Sequence, residues 1–389
     1  MSVSPEHEPV VDGPSLAAAV AGYIVQYVML SPAQLVACVL WVLHTWTFDA
    51  ACTTPYLFVL SAQRQSGKTR LLESLEMLTA HPLRTSGLSE AALFRVIEAE
   101  RPTLMIDEAD AIFGSTSERT EPIRGALNSG NREGGAIVRC VPPNWEVKQF
   151  STYCPKAIAG IDKGSFPDTL LDRSVVVRMR RRAPDEHVGS FRERQAREQA
   201  EPLRAMSASW AEQVVDLLRL AEPRIPDGLS DRAADAWEPL LGIADLLGGE
   251  WPVEARQAAA DLHSSQQRME DSLQLVLLAA IREVFDTERT DRMTSEKLCE
   301  RLNELPDVPW SSWGGRGPAG IRTGKLAELL RPFDIRPGTI RLSNDAGRGS
   351  TAKGYMREWF QDAWDRYLPI EDDEAPCDGV TSHPRSSDV

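Results

Sequence analysis

Residues 55–72 read PYLFVLSAQRQSGKTRLL, and no other stretch constrains the fold as tightly. An apolar run, 57–60, stops at Ser61; the loop AQRQSGKT follows, and then a helix-compatible run over 70–78. Strand, loop and helix in that order, with Gly67, Lys68 and Thr69 at the turn, describe a cradle for a triphosphate. Backbone N–H groups of the loop (Ala62, Gln63, Arg64, Gln65, Ser66, Gly67) and of the helix start (Lys68, Thr69, Arg70) would face the phosphates. Lys68 would reach the β and γ oxygens, and the Thr69 hydroxyl would hold Mg²⁺. The usual pattern has a glycine where this chain has Ala62, so the loop entry is altered. A chance GKT in a turn is the competing reading, and the flanking strand and helix weigh against it.

Some 39 residues beyond the loop comes RPTLMIDEAD. Its apolar run, 103–106, fits a fully buried strand. In a parallel sheet its C-terminal end would bring Asp107 and Glu108 beside the loop. Asp107 would hold Mg²⁺ through water, and Glu108 would polarise the attacking water. An acidic cap on a helix over 109–113 is the alternative. Further on, PKAIAGI (155–161) reads as another buried strand, and Asp162 at its end could sense a γ-phosphate. In DTLLDRSVVVRM, Arg173 stands at a helix-to-strand junction, where it could reach a neighbouring subunit's γ-phosphate or pair with Asp172. Between these strands, 136–141 and 146–150 alternate around Pro142-Pro143-Asn144 and read as a β-hairpin with Trp145 near its tip. Arg139, Trp145 and Lys148 would either touch a nucleic-acid strand or lie on an edge hairpin packed on its own domain.

Two apolar segments, 16–30 and 35–46, raise the question of a membrane. Ser31-Pro32 divides them into pieces too short to span a bilayer, so two buried helices are expected, capped by Ser15 and Ser31. The second carries His44, which would contact a base or, as the favoured reading, pack among tryptophans. Six cysteines without C-x-x-C spacing fit free thiols in a reducing cytoplasm rather than a zinc site. The acidic N-terminal stretch has no basic region of a signal peptide. A net charge of −14 argues against a surface that coats DNA throughout, while leaving local basic patches open.

Residues 198–263 read as helical, with a break at 223–228 and a fresh start at Ser230. Such a lid would fold over the nucleotide and bring Arg232 to the γ-phosphate. From 265 the pattern changes: a long helix over 265–285, two short amphipathic helices (294–302, 323–330), a strand over 338–342, a polar loop, a strand at Lys353-Gly354-Tyr355 and a helix over 356–367. That order fits a winged helix. Arg341, Arg348 and Lys353 would lie on its wing, with Arg322 and Lys325 near the recognition helix. A protein-binding winged helix is the other reading.

The ordered set SAQRQSGKTRLL, TLMIDEAD, PKAIAGI, DTLLDRSVVVRMRRR and SDRAADAWEPLLGIADLLGG resembles AAA+ P-loop ATPases. It is more closely similar to an uncharacterised family of helicase-like proteins of actinobacteria, their phages and mobile elements, found fused to or encoded near primase–polymerase modules. The resemblance, which extends over about residues 20–368, implies an ASCE-type α/β core. By position it makes Lys68 and Thr69 the Walker A pair, Asp107 and Glu108 Walker B, Arg173 the arginine finger and Arg232 sensor 2. The family usually has Asn, Thr or Ser near Asp162. The expected layout is a leader (1–13), N-terminal helices on the core (14–54), the P-loop core (55–197), a helical lid (198–263), a winged-helix domain (264–368) and a tail (369–389). The expected function is Mg²⁺-dependent ATP hydrolysis coupled to DNA translocation or remodelling by a homo-oligomer, a hexameric ring, with a primase or polymerase as possible partner. A nucleotide-switched adaptor that loads a helicase, and an ATP-controlled DNA-binding initiator, are the alternatives.

Overall fold

The computed structural model describes residues 11–85, 90–113, 121–141, 143–162, 166–306, 308–313, 320–342 and 350–368. They divide into two units, one running to Glu270 with Trp310–Gly320 added, the other comprising Asp271–Pro309 and the chain from Ile321 on. In chain order the first unit holds α1 (Gly13–Tyr27), α2 (Pro32–Thr47), β1 (Tyr56–Ser61), α3 (Lys68–Glu76), β2 (Pro82–Thr85), α4 (Glu90–Glu100), β3 (Thr103–Ile106), α5 (Ala109–Phe113) and α6 (Glu121–Ser129). It continues with β4 (Ala136–Val141), β5 (Glu146–Ser151), β6 (Lys156–Ile161), α7 (Asp168–Leu171), β7 (Ser174–Arg178), α8 (Glu193–Leu218), α9 (Asp231–Leu247) and the start of α10 (Trp251–Glu288).

Five strands form one sheet in the order β2-β3-β6-β1-β7, and every neighbouring pair is parallel. Such a sheet must be covered on both faces, and the interiors of β1, β3, β6 and β7 are apolar and buried for that reason, while the edge strand β2 is only half-buried. Alternate residues go to opposite sides. Leu57, Val59, Met105, Ala157, Ala159, Val175 and Val177 join a core with α1, α2, α3, α8 and α9. Tyr56, Phe58, Leu60, Leu104, Ile106, Ile158 and Val176 join another with residues of α4, α5 and α6. The result is a mixed α/β unit around a parallel central sheet.

The two apolar N-terminal segments are buried helices, and among the described residues no helix is long and apolar enough to cross a membrane. A capping box opens α2, with Ser31 Oγ accepting from Gln34 N and Gln34 Oε1 from Ser31 N. For α1 the cap is Asp12 rather than Ser15. The Asp12 carboxylate accepts from Ser15 N at 3.0 Å, since Gly13-Pro14 already belong to the first turn.

Residues 198–263, expected as a lid, share the core of α1 and α2. Ala200, Trp210 and Val214 of α8 and Trp237, Leu240 and Ala244 of α9 are buried there. Their apolar stripes are spent on the N-terminal helices, a partner that helical periodicity cannot name. After α9, Gly248 and Gly249 take positive φ, and α10 then runs unbroken to Glu288, well ahead of the helix expected at 265.

The second unit contains the rest of α10, then β8 (Arg292–Thr294), α11 (Ser295–Glu304), α12 (Thr323–Leu330), β9 (Gly338–Leu342), β10 (Ser350–Met356) and α13 (Gln361–Tyr367). Its sheet is antiparallel, in the order β8-β10-β9. Leu298, Leu302, Leu326, Leu330, Ile340, Tyr355, Phe360 and Trp364 are buried. At three residues β8 is too short for periodicity to announce. The last helix starts at Gln361 rather than 356, because Met356 ends β10 and a 3₁₀ turn over Arg357–Phe360 intervenes.

Candidate functional site

All five parallel strands end along one edge of the sheet, and there the loop after β1 (62–70), Asp107 with Glu108, and Asp162 collect. The loop after β1 enters α3 through Gly67, whose φ of +84° suits a residue without a side chain. Gln65, also at positive φ (59°), has no such exemption. Ala62, Gln63, Arg64, Gln65, Gly67 and Thr69 are exposed, so the loop is open to an incoming group. Lys68 Nζ donates to Ser61 Oγ (2.5 Å) and to the Gln63 carbonyl (3.3 Å), which also accepts from Ser61 Oγ and Ser66 Oγ. The lysine is thus folded back over its own loop. Arg70 turns away from the loop: it pairs with Glu73 at 2.8 Å and lies 4.5 Å over the Phe191 ring.

Asp107 and Glu108 leave the end of β3, with β6 between them and β1. Asp107 Oδ1 accepts from Glu108 N at 2.9 Å, and Glu108 is exposed with φ +54°. A non-glycine residue in that region is uncommon and marks a strained, often functional, position. Burial pulls the Lys68 ammonium below its ordinary pKa, opposed by the carboxylates of Asp110 and Asp107. The lysine and the two acids therefore share one electrostatic environment. Asp110 also ties this edge together: its Oδ1 accepts from Ile161 N at 3.2 Å, and a Cβ on Gly160 would come within 3.1 Å of Asp110 N.

Asp162 follows β6, and its N–H donates to Ser61 O at 2.9 Å. Its carboxylate is held by Arg178 Nη1 at 2.6 Å, with both side chains about three-quarters covered (25% and 27% exposed). An acid next to a γ-phosphate would repel it, and this pairing offsets that charge. Thr69, exposed in the first turn of α3, and Asp107, at the end of β3, are the residues that would hold a Mg²⁺ ion. Mg²⁺ needs few protein oxygens when phosphates and water supply the rest.

Arg173 and Arg232 lie elsewhere. Both line a cavity of about 100 Å³ with Arg132, Asp235, Asn131 and residues 53–55. Thr53, Thr54 and Pro55 precede β1, and Arg173 precedes β7, so this cavity is at the opposite edge of the sheet from the loop after β1. Arg173 donates to Asn128 O at 3.0 Å, whereas Asp172 pairs with Arg232 at 2.7 Å. Arg132 pairs with Asp235 at 2.6 Å. Arg232 is thus not brought to its own chain's loop.

The β4–β5 hairpin places Arg139 opposite Lys148 and exposes Trp145 at the turn (70% exposed). Arg139 lies 5.6 Å over Phe94 of α4, which ties the hairpin to its own domain, whereas Lys148 lies 5.0 Å over Phe150 of its own strand. In the second unit Arg341 and Lys353 are exposed on β9 and β10, Arg322 and Lys325 flank the start of α12, and Arg348 lies outside the described residues.

The family described as "Protein of unknown function (DUF3631)" matches residues 178–367. A protein of Saccharopolyspora erythraea named "Uncharacterized 28.9 kDa protein in xis 5'region" is 40% identical over 207 residues, which is 53% of this chain and 74% of that protein. The chain belongs to this family. The DUF3631 match starts at Arg178, so the loop after β1 and Asp107 precede it, while Arg178 and Arg232 fall inside. Two solved structures, both described as the A form apo structure of the NrS-1 C terminal region, cover 92% of this chain. They show 10% and 8% identity, cover 79% and 78% of their own chains, and have TM-scores of 0.36 and 0.35. A likeness that distant carries no argument about the site.

Sequence reasoning missed Asp110, Arg132 and the pairing of Arg178 with Asp162, although Arg178 stood out with Arg180, Arg181 and Arg182 as a basic group that could contact phosphate. Asp110 was visible as an acid three residues after Asp107, one helical turn on. Arg178, at the end of β7, shares an edge with Asp162 only once the strand order is known. Arg132 carried no local signal, since the turn after α6 meets α9 only in the tertiary structure.

Proposed function

We propose that this family member is a Mg²⁺-dependent ATPase with a AAA+ type P-loop core, coupling hydrolysis to translocation on DNA or its remodelling. One observation carries the reading: a glycine-containing loop of phosphate-loop pattern leaves β1, an acidic pair leaves β3, and the single strand β6 separates them, all at one edge of a parallel sheet. In this reading Lys68 exchanges Ser61 and Gln63 for phosphate oxygens. Thr69 and Asp107 hold the Mg²⁺, which neutralises charge on the β- and γ-phosphates. Glu108 orients the attacking water. Arg173, too far from its own loop, serves the loop of a neighbouring subunit, so the active form is a homo-oligomer, with a hexameric ring as the expected closure.

DNA as the partner is supported by the projecting Trp145 with Arg139 and Lys148 nearby, a combination suited to a stacked single strand. The helix, strand, two helices, two strands and helix of the second unit support a winged-helix domain, with Arg341 and Lys353 on its strands. The relative's name, placing it in an xis 5′ region, supports a role in replicating a phage or mobile element, beside a primase or polymerase in the cytoplasm.

The test is ATP turnover with and without single-stranded and duplex DNA, for wild type, Glu108→Gln and Arg173→Ala. DNA-stimulated turnover lost in both variants is expected. Turnover indifferent to DNA would replace the motor by a nucleotide-switched adaptor, and its absence in wild type would refute the ATPase reading.

A further inference from the structure

We propose that Arg232 acts in trans together with Arg173, as one composite arginine face that closes on the triphosphate held in the phosphate loop of a second copy of this chain. The proposal rests on the ATPase reading above and changes one of its parts, since a helical cover over the same chain's loop is where sequence spacing would put Arg232.

Position decides the matter first. The cavity holding Arg232 is built from the segment that enters β1, and the phosphate loop is the segment that leaves it. Six residues of extended strand separate those ends by roughly 17 Å, well beyond the span of one arginine side chain. The helix that carries Arg232 cannot swing over to the loop, because Trp237, Leu240, Leu241 and Ala244 of α9 are buried in the sheet-face core.

Chemistry points the same way. Arg132, Arg173 and Arg232 converge on one cavity, with Asp235 inside it and Asp172 beside it. Three guanidinium groups and two carboxylates leave a net positive charge. Arg232 and Arg132 rest on Asp172 and Asp235, and Arg173 on a backbone carbonyl. Arg232 and Asp172 are about half exposed (53% and 40%), and ion pairs that wet are weak and easily exchanged. A triphosphate oxygen offers a stronger bidentate partner. Arg232 is therefore parked, ready to trade Asp172 for a phosphate, and Thr53 and Asn131 add polar groups to the same wall. The occupant is a nucleotide rather than a strand of DNA because the cavity, about 100 Å³, is of single-phosphate size, and the basic residues of its lining are Arg132, Arg173 and Arg232.

The experiment mixes two variants. Glu108→Gln would lose its own hydrolysis but keep its arginine face; Arg232→Ala would keep its loop but lose the face. Each alone is expected to lose about 100-fold or more in turnover. Mixed in equal amounts, they form interfaces in which an intact loop meets an intact face, and about a quarter of the wild-type rate returns. Arg232→Lys, which keeps charge but loses the fork, serves if the alanine variant does not fold, with the same complementation expected. A mixture as inactive as its components, with weakened ATP binding by the arginine variant alone, would place Arg232 in cis and overturn the proposal. Unchanged turnover with weakened DNA binding would also overturn it, by making the cavity a nucleic-acid site. No ATP binding by the wild-type protein would refute the underlying ATPase reading, a result seen before any variant is made.

Discussion

Acid should loosen the first unit through a single imidazole. His44 is 1% exposed in α2, and its Nε2 lies 2.8 Å from Thr54 Oγ1. Thr54 N in turn donates to Asn131 O at 2.8 Å, so the pair fastens α2 to the segment entering β1. Burial pulls the His44 pKa from 6.5 down to about 3. The unfolded chain therefore takes up a proton as pH falls below 6.5, while the folded chain does not until about pH 3. The stability concerned is fully present above the unfolded value and is lost as pH drops toward the folded one. Each pH unit below the unfolded pKa removes about 1.4 kcal/mol, so the descent from about pH 7.5 to about pH 5 removes about 2 kcal/mol. In His44→Gln an amide can still bond Thr54 but cannot titrate. Urea unfolding followed by tryptophan fluorescence, for both proteins across that range, isolates the term, because every other titrating group is common to the two. Wild type should lose about 2 kcal/mol more than the variant. Parallel losses would show that the histidine is hydrated or protonated in the fold, and the burial argument would fall.

Two further outcomes follow from buried or strained groups. Lys156 is fully buried, donates to the carbonyls of Gly130, Thr152 and Cys154 at 2.8–3.1 Å and lies 4.9 Å over the Tyr56 ring. Lys156→Met keeps the stem and strands the carbonyls, so a loss of about 2–4 kcal/mol in urea unfolding is expected, and a stability unchanged from wild type would contradict the role. At Gly67 an added Cβ would meet only Met179 Cε at 3.4 Å, so Gly67→Ala is penalised by its φ and not by space. It should lower stability by only about 1–2 kcal/mol in thermal melting while weakening ATP binding by a much larger factor; equal small effects on both would refute a phosphate-facing loop.

Much of the first unit was legible from local pattern. The strands around 56–61, 103–106 and 156–161 were visible because both faces of a parallel sheet are covered, which writes an uninterrupted apolar run into the sequence. The phosphate loop and the Asp107-Glu108 pair were visible because their chemistry is set by neighbours in the chain. What stayed hidden was everything set by long-range packing: that α8 and α9 share a core with α1 and α2, that α10 begins at Trp251, and that three residues near 293 make a strand. Asp162 shows the difference. Its sequence promised an unfavourable acid, and only the adjacency of strand ends supplied Arg178 to offset the charge.

The sequence by itself therefore determined the longer apolar elements and the glycine loop and acidic pair that share one edge of the sheet, because hydrophobic period and turn chemistry are local properties. Only the tertiary structure decided which side chains answer one another across the sheet. The separation of Arg232 from its own phosphate loop is the clearest case, for it depends on the strand order and on where α9 is buried, and neither leaves a trace within a few residues of the arginine.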